Sequence, residues 1–434
     1  MNFQQGISGL DAASRNLEVI GNNIANANTV GAKASTVQFA DIYANASLRE
    51  TSDMAGMGVA VESVSQQFTQ GSIKSTDNPL DVAINGQGFF TVKSPSGDTG
   101  YTRDGEFQVD SSGYLVTADG SRVQGYSVDP VTNAASGILG DIQMPTQGIL
   151  PAPTKTGTLD LNLDSRTAAP TAATPAFDPS NPASYTSSTS MQVYDQQGNE
   201  HVLSMFFRRT STDNQWQVFT TMDGTSVPAG AAGSLQPSGQ ITFNADGSLD
   251  PTQSGSLSGG ALTAGGLALD LPFSSATLPV PPSASTTTAP VTINFTGSTQ
   301  VAQTFGVSSV SQDGNAPGQL TGVAIDSSGD VQASYSNGLT RSLSQVALAN
   351  FADPQGLIPV GGNTWRASPE SGAPAVGSPG SSSLGSLQGG ALEQSNIDLT
   401  QQLVDMISAQ RSYQANAQTI KTQDQMMSTL LNMR

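Results

Sequence analysis

The sequence predicts a multidomain, mainly β protein with long terminal α-helices: nested discontinuous β domains plus a helical, coiled-coil layer built from both chain ends. Three observations predict it. Apolar residues recur at helical spacing in the first and last stretches, and the chain between them alternates with period 2 among Gly-containing turns. The alternation then resumes near residue 320, after an insert rich in Ser, Thr, Gly and Pro.

The N-terminal helix is expected over residues 3 to 27. Phe3, Ile7, Leu10, Ala13, Leu17, Ile20 and Ile24 are spaced 4, 3, 3, 4, 3, 4 and share one face, opposite Gln5, Asn16, Asn22 and Asn23. The Asn-rich run to Asn28 and then Gly31 supplies a stop. The C-terminal helix is cleaner. Leu399, Leu403, Met406, Gln410, Tyr413, Ala417, Ile420, Asp424, Met427 and Leu431 alternate steps of 4 and 3, a heptad seam interrupted by Gln410 and Asp424. Asp398 is its expected N-cap, and at 1.5 Å per residue the helix is about 50 Å long. A stripe of that length needs a partner. Periodicity leaves two open, an intramolecular hairpin of the two ends or bundling between chains, and without a partner face such ends are expected to be largely disordered in the free chain.

Between the ends the pattern is β. Alternation occurs at Leu80, Val82 and Ile84, then at Phe89–Val92, Phe107–Val109 and Tyr114–Val116, with turns at Asn85-Gly86, Asp104-Gly105 and Asp119-Gly120. A second β region covers Met191–Tyr194, His201–Phe207, Trp216–Phe219 and Ile241–Phe243; a third covers Val323–Ile325, Val331–Tyr335 and Val346–Phe351. Residues 252 to 290 read as loops or weak strands, and 367 to 391 as a Gly/Ser/Pro-rich connector. No internal repeat stands out.

Composition removes several function classes. Only 12% of residues are charged, against roughly 25% in typical chains. The net charge of −18 with 16 Lys and Arg leaves no cation cluster to displace counterions from nucleic acid, and disfavours an anionic membrane surface. With no cysteine and one histidine, disulfides, Cys metal sites and His–His zinc motifs are excluded. No apolar run is long enough to span a bilayer. The N-terminus lacks the basic segment and apolar core of a cleaved leader, which by itself points to the cytoplasm.

Catalytic motifs are scarce. There is no nucleophile elbow, P-loop or dinucleotide fingerprint, and Gly56-Met57-Gly58 and Gly86-Gln87-Gly88 read as turns. His201 reads as a strand residue, and Asp104, Glu106 and Asp110 as hairpin acids, because the calcium-loop pattern is absent. No catalytic residue, metal or cofactor is expected.

The chain ends carry a more specific signal. Ser8-Gly9-Leu10, Ala12-Ala13-Ser14 and Leu17 through Thr29 closely resemble the N-terminal signature of the flagellar rod and hook protein family. Leu392 through Leu399, Leu403 through Ile407 and Ala409 through Asn416 resemble its C-terminal signature. Leu80–Ile84 through Gly88-Phe89-Phe90 is similar to the family's first β domain. Gln418 through Met426, and the insert with Val193 through Asn199, resemble hook subunits more than the shorter rod subunits, whereas 222 to 300 matches poorly.

That resemblance implies a structural subunit of the hook. It would self-assemble into a curved, flexible tube that couples motor and rod to the filament. The implied partners are further copies of the chain, the distal rod, hook cap and hook–filament junction proteins, and the flagellar type III export apparatus, which cleaves no leader; the implied location is therefore extracellular. The implied polymerisation seam is Ile7, Leu10, Leu17, Ile20, Ile24, Leu399, Leu403, Met406, Tyr413, Ala417, Ile420, Met427 and Leu431. The expected layout has a helical domain at 1–29 and 397–434 and linkers at 30–70 and 367–396. A first β domain then covers 71–145 and 301–366, and an inserted outer β domain covers 146–300. Competing readings are a distal rod subunit and, from another class, a secreted β-rich adhesin or polysaccharide-active protein.

Overall fold

The structure is a computed structural model. It describes residues 2–42, 58–129, 135–145, 148–169, 171, 174–227, 236–258, 261–265, 267–271 and 289–432. The chain divides into two compact units, one of 1–147, 320–334 and 338–434, the other of 148–319 and 335–337.

In the first unit the expected helices form. Helix α1 spans Asn2–Ala25, and the amide of Asn26 still bonds back to the carbonyls of Asn22 and Asn23, each at 3.1 Å. Gly31 turns the chain at φ +69°, where a Cβ would meet Asp104 N at 2.7 Å, so only glycine passes here. After α1 the chain makes an antiparallel hairpin of β1 (Ser35–Ile42) and β2 (Gly58–Gln66), bulged between Gln38 and Phe39. Helix α2 spans Leu399–Asn432, and its expected N-cap is in place: Asp398 Oδ1 accepts from Thr400 N at 2.8 Å and Gln401 N at 3.2 Å.

The β core of this unit is buried on both faces of its sheet. Strand Phe89–Lys93 bonds to Thr99–Thr102, Arg122–Val128 and Leu348–Asn350. Its neighbouring residues point to opposite sides. Phe90 and its cross-strand partner Leu348 join Val82, Ile84, Phe107 and Val346, whereas Phe89 and Ala349 join Tyr101, Phe351 and Trp365. Edge-to-face aromatic contacts tie the second cluster together, with Phe68 5.5 Å from Trp365 and Tyr101 4.8 Å from Phe351.

The second unit has one core between two sheets. Leu159, Leu161 and Leu163 alternate inward along Thr156–Asp164 and meet Leu203, Met205, Phe207, Trp216 and Val218 from the other sheet. Within the nominal connector, strands form at Gly255–Ser258, Ala261–Ala264 and Leu267–Leu271, and a further one starts at Ala289; residues 259–260, 266 and 272–288, and the Gly56-Met57 turn, lie outside the described residues.

Two boundaries differ from the sequence expectation. Residues 301 to 319 stay with the second unit, because Thr156–Asp164 takes Thr299–Val301 as a parallel neighbour and Gly306–Gln312 as an antiparallel one. Gly306–Gln312 is mostly exposed, so it carries no buried alternation to read. The nominal linkers are knitted structure. Ile73–Ser75 pairs with Ala391–Glu393, Val82–Asn85 pairs with Ser386–Gly389, and Asn396 bonds to Ala34 N, Gln67 O and Thr69 O.

Candidate functional site: the surface of the terminal helix pair

α1 and α2 pack antiparallel through small and polar residues. A Cβ on Gly6 would lie 2.9 Å from Ile420, and one on Gly9 would lie 2.9 Å from Asn416. At the other end Asn23 Nδ2 donates to Gln402 Oε1 at 3.0 Å. Ala12, Ala13, Ile20 and Ala409 are buried along this line. The ends therefore find a partner in each other, unlike the expectation for the free chain. Asn23 also grips the hairpin, donating to Ser35 O at 2.8 Å and accepting from Ser35 N at 2.9 Å. A groove of about 720 Å³ runs between α1, α2 and the β1–β2 hairpin, bordered by Ala13, Ile20, Val37, Phe39, Asp405 and Ala409.

The expected seam residues divide three ways. Ile20 is buried; Leu10, Leu17, Ile24, Met406, Ala417 and Ile420 are half-buried; Ile7, Leu399, Leu403, Tyr413 and Met427 are exposed. The side chain of Leu431 lies outside the described residues. At 100° per residue, the stripe through Leu399 and Leu403 lies roughly a quarter to a third of a turn from the line of Gln402, Ala409 and Asn416 that faces α1. The helix pair thus meets α2 mainly to one side of the stripe that periodicity selects, sharing Ile420 with it.

An apolar ridge remains uncovered in the single chain. Leu403 is 46% exposed, Val404 56% and Ile407 52%. Val404, Ile407 and Met426 were not among the expected residues, because they fall outside a strict heptad. The small-residue interface was missed as well, although Gly6, Gly9, Ala13, Asn16 and Ile20 recur at steps of 3 and 4. That spacing is the signal that could have found it.

The polar candidates are tied into local structure. Asp110 Oδ1 accepts from the amides of Ser112 and Tyr114, each at 2.8 Å, and Asp104 Oδ1 accepts from Glu106 N at 3.0 Å. Burial, reinforced by the nearby carboxylates of Glu106, Asp119 and Asp81, pushes the Asp104 carboxyl up to about 6. His201, on strand Glu200–Arg209, places Nδ1 2.6 Å from Asp223 Oδ2. Among the described residues, no group of three or more His, Cys, Asp or Glu side chains is placed to hold a metal ion.

Comparison with known proteins covers the chain end to end. A profile for flagella basal body rod proteins matches residues 3–33. A profile for the D1 domain of flagellar hook protein FlgE/F/G matches 83–162, one for the flagellar basal body protein FlaE D2 domain 162–315, and one for the FlgEFG rod protein C-terminal region 388–433. The chain is 38% identical to the flagellar hook protein FlgE of Escherichia coli K12 over 442 residues and 37% identical to that of Salmonella typhimurium LT2 over 439, with 100% of each chain covered. It is 33% identical to the Treponema pallidum hook protein, covering 99% of this chain and 98% of the relative. Among solved structures, Helicobacter pylori flagellar hook protein FlgE2 shares the fold, with a TM-score of 0.53 at 14% identity over 74% of this chain and 100% of that one.

Proposed function

The chain belongs to the flagellar hook protein family, and on that premise we propose that it polymerises through the uncovered face of α2. Its role is that of a structural subunit of the hook rather than of the distal rod, and the adhesin or polysaccharide-active reading falls with the full-length match. We assign it no catalytic chemistry.

The observation that carries the mechanism is the apolar ridge of Leu399, Leu403, Val404 and Ile407, left exposed on a helix whose other side is already packed. Fully burying such a side chain is worth roughly 1.5–3 kcal/mol, so completing a half-finished burial recovers about half of that per residue. Ridge and groove occupy different faces of one molecule. Contacts between unlike faces that do not close on themselves generate a helical filament. Expected seam residues that are half-buried here, such as Met406 and Ala417, would be covered from the same side.

Family membership supports the finer assignments of this reading. Further copies of the chain are the main partner, with the distal rod at one end of the tube and the hook cap and filament junction proteins at the other. Passage through the flagellar type III apparatus is supported by the absence of cysteine, since a chain without cross-links can be threaded unfolded. The nested layout, with the second unit inserted into the first, supplies material that can set curvature without interrupting the helical layer.

Electron microscopy of the purified full chain tests the assembly. Tubes are expected above a threshold concentration, and a monomer at every concentration, even with wild-type tube fragments as seeds, would overturn the proposal.

A further inference from the structure

Both helices join the β core of their unit through one buried charge cluster. Glu393, at the end of strand Ala391–Glu393, has a fully buried side chain. Its Oε1 lies 2.5 Å from Lys33 Nζ and its Oε2 3.0 Å from Arg103 Nη1. Oε1 also accepts the amide of Gly71 at 2.9 Å, and the Glu393 backbone carbonyl accepts the amide of Gly31 at 2.9 Å. Lys33 donates further to Thr69 O at 2.9 Å, and Arg103 to Gly86 O at 3.0 Å. The Arg103 guanidinium also sits 5.3 Å from the centre of the Phe89 ring, at the edge of the aromatic core.

The three residues come from the root of α1, a β-core turn and the segment leading into α2. Glu393 is 360 positions from Lys33 and 290 from Arg103. Two cations thus share one anion where all three side chains are almost fully buried. The carboxylate is the member that cannot be replaced. Without it two buried cations face each other, a far worse state than an isolated pair that has lost one partner. Lys33 is the surplus charge, and burial lowers its proton affinity more than Glu393 restores it.

We propose that Glu393 is the positioning residue of a rigid joint, which holds the roots of both terminal helices against the β core through Lys33 and Arg103. The connectors on either side of it are therefore not a hinge. The proposal concerns the single chain and stands apart from the hook reading.

Hydrogen exchange on the full-length monomer, with melting of the β core measured alongside, tests it through an asymmetry. Glu393→Gln should speed exchange at the Gly31 and Gly71 amides by at least about 100-fold while the Phe90 amide keeps its protection. Lys33→Met should stay within about tenfold of wild type at both amides, since it leaves a one-to-one pair. Adding Lys33→Met to Glu393→Gln should recover at least about tenfold of the lost protection. Unchanged exchange in Glu393→Gln would overturn the joint, and so would a Lys33→Met chain as damaged as Glu393→Gln, because a purely steric plug has no reason to prefer one charge. If Glu393→Gln does not fold, the Lys33→Met chain and the double variant still decide the matter, and an unfolded double variant also counts against it.

Discussion

Leu403 and Ile420 belong to one heptad stripe but meet different neighbours. Leu403 is 46% exposed in the single chain, whereas Ile420 is half-buried and faces Gly6 of α1. Leu403→Asp should therefore leave monomer stability within about 0.5 kcal/mol of wild type and block tube formation. Ile420→Asp should block tubes and also loosen the helix pair, because a carboxylate beside Gly6 must be desolvated. Normal tubes from Leu403→Asp would remove the ridge from the assembly surface. Asp104 makes a separate residue-scale case. Its carboxyl titrates at about 6 in the folded chain against 3.8 ordinarily, with burial the main cause. A raised acid favours the folded state below the unfolded value, and that advantage is lost as pH rises through about 6. Asp104→Asn can keep the bond from Glu106 N while avoiding the buried charge. It should stabilise the protein by about 1–3 kcal/mol near pH 7, and the gain should vanish below about pH 4. A melting-temperature series across pH checks both arms.

At the scale of elements, the helix pair owes its close approach to residues without bulk. Gly9 lies in helical conformation against Asn416, where a Cβ would come 2.9 Å from the side-chain amide, so a long side chain must displace Asn416 from the contact. Gly9→Leu gains intrinsic helix propensity of up to about 1 kcal/mol, yet it should push the helices apart. Exchange along α1 should then accelerate while the aromatic core around Phe89 and Trp365 keeps its protection. Equal protection in both chains would mean that α1 does not rely on α2. The cap at the start of α2 is a smaller contribution. Asp398 satisfies two first-turn amides, and helix N-cap removal typically costs about 1 kcal/mol. The knitted connectors matter more, since they tie both helix roots to the strands that flank the core.

For the whole molecule, the second unit enters and leaves through neighbouring backbone. Ile149 and Gly318 exchange two hydrogen bonds, at 2.8 and 3.1 Å. A short Gly/Ser linker in place of 148–319 can therefore close the gap, and this cut follows the structural boundary instead of ending at residue 300. The shortened chain should fold and form a thinner tube of altered curvature, visible by electron microscopy of cells making only that protein. A stable, exported chain that forms no tube would place the second unit in the tube wall. Charge acts at the same scale. Each subunit carries a net −18, while the proposed seam is almost uncharged, so subunits repel until salt screens them. Raising ionic strength from 0.01 to 0.15 M shortens the screening length from about 30 to about 8 Å and should lower the critical concentration for assembly. Sedimentation at the two salt levels gives that concentration directly.

Local periodicity alone determined a good deal of this protein. It set the two terminal helices, the Asp398 cap, the alternating strands at Leu159–Leu163's neighbours Met191–Tyr194 and His201–Phe207, and the heptad stripe that gives Leu399 and Leu403 to the ridge. These features repeat within one element, so a short window of sequence contains them. Tertiary structure decided which face of α2 meets α1, because a small-residue interface has no apolar excess to announce it. It also decided that Gly306–Gln312 pairs with Thr156–Asp164, since an exposed edge strand carries no buried alternation. The cluster of Lys33, Arg103 and Glu393 lay furthest from view. Each residue looks like an ordinary surface charge in its own segment, and only the meeting of positions hundreds of residues apart makes a buried ion cluster of them.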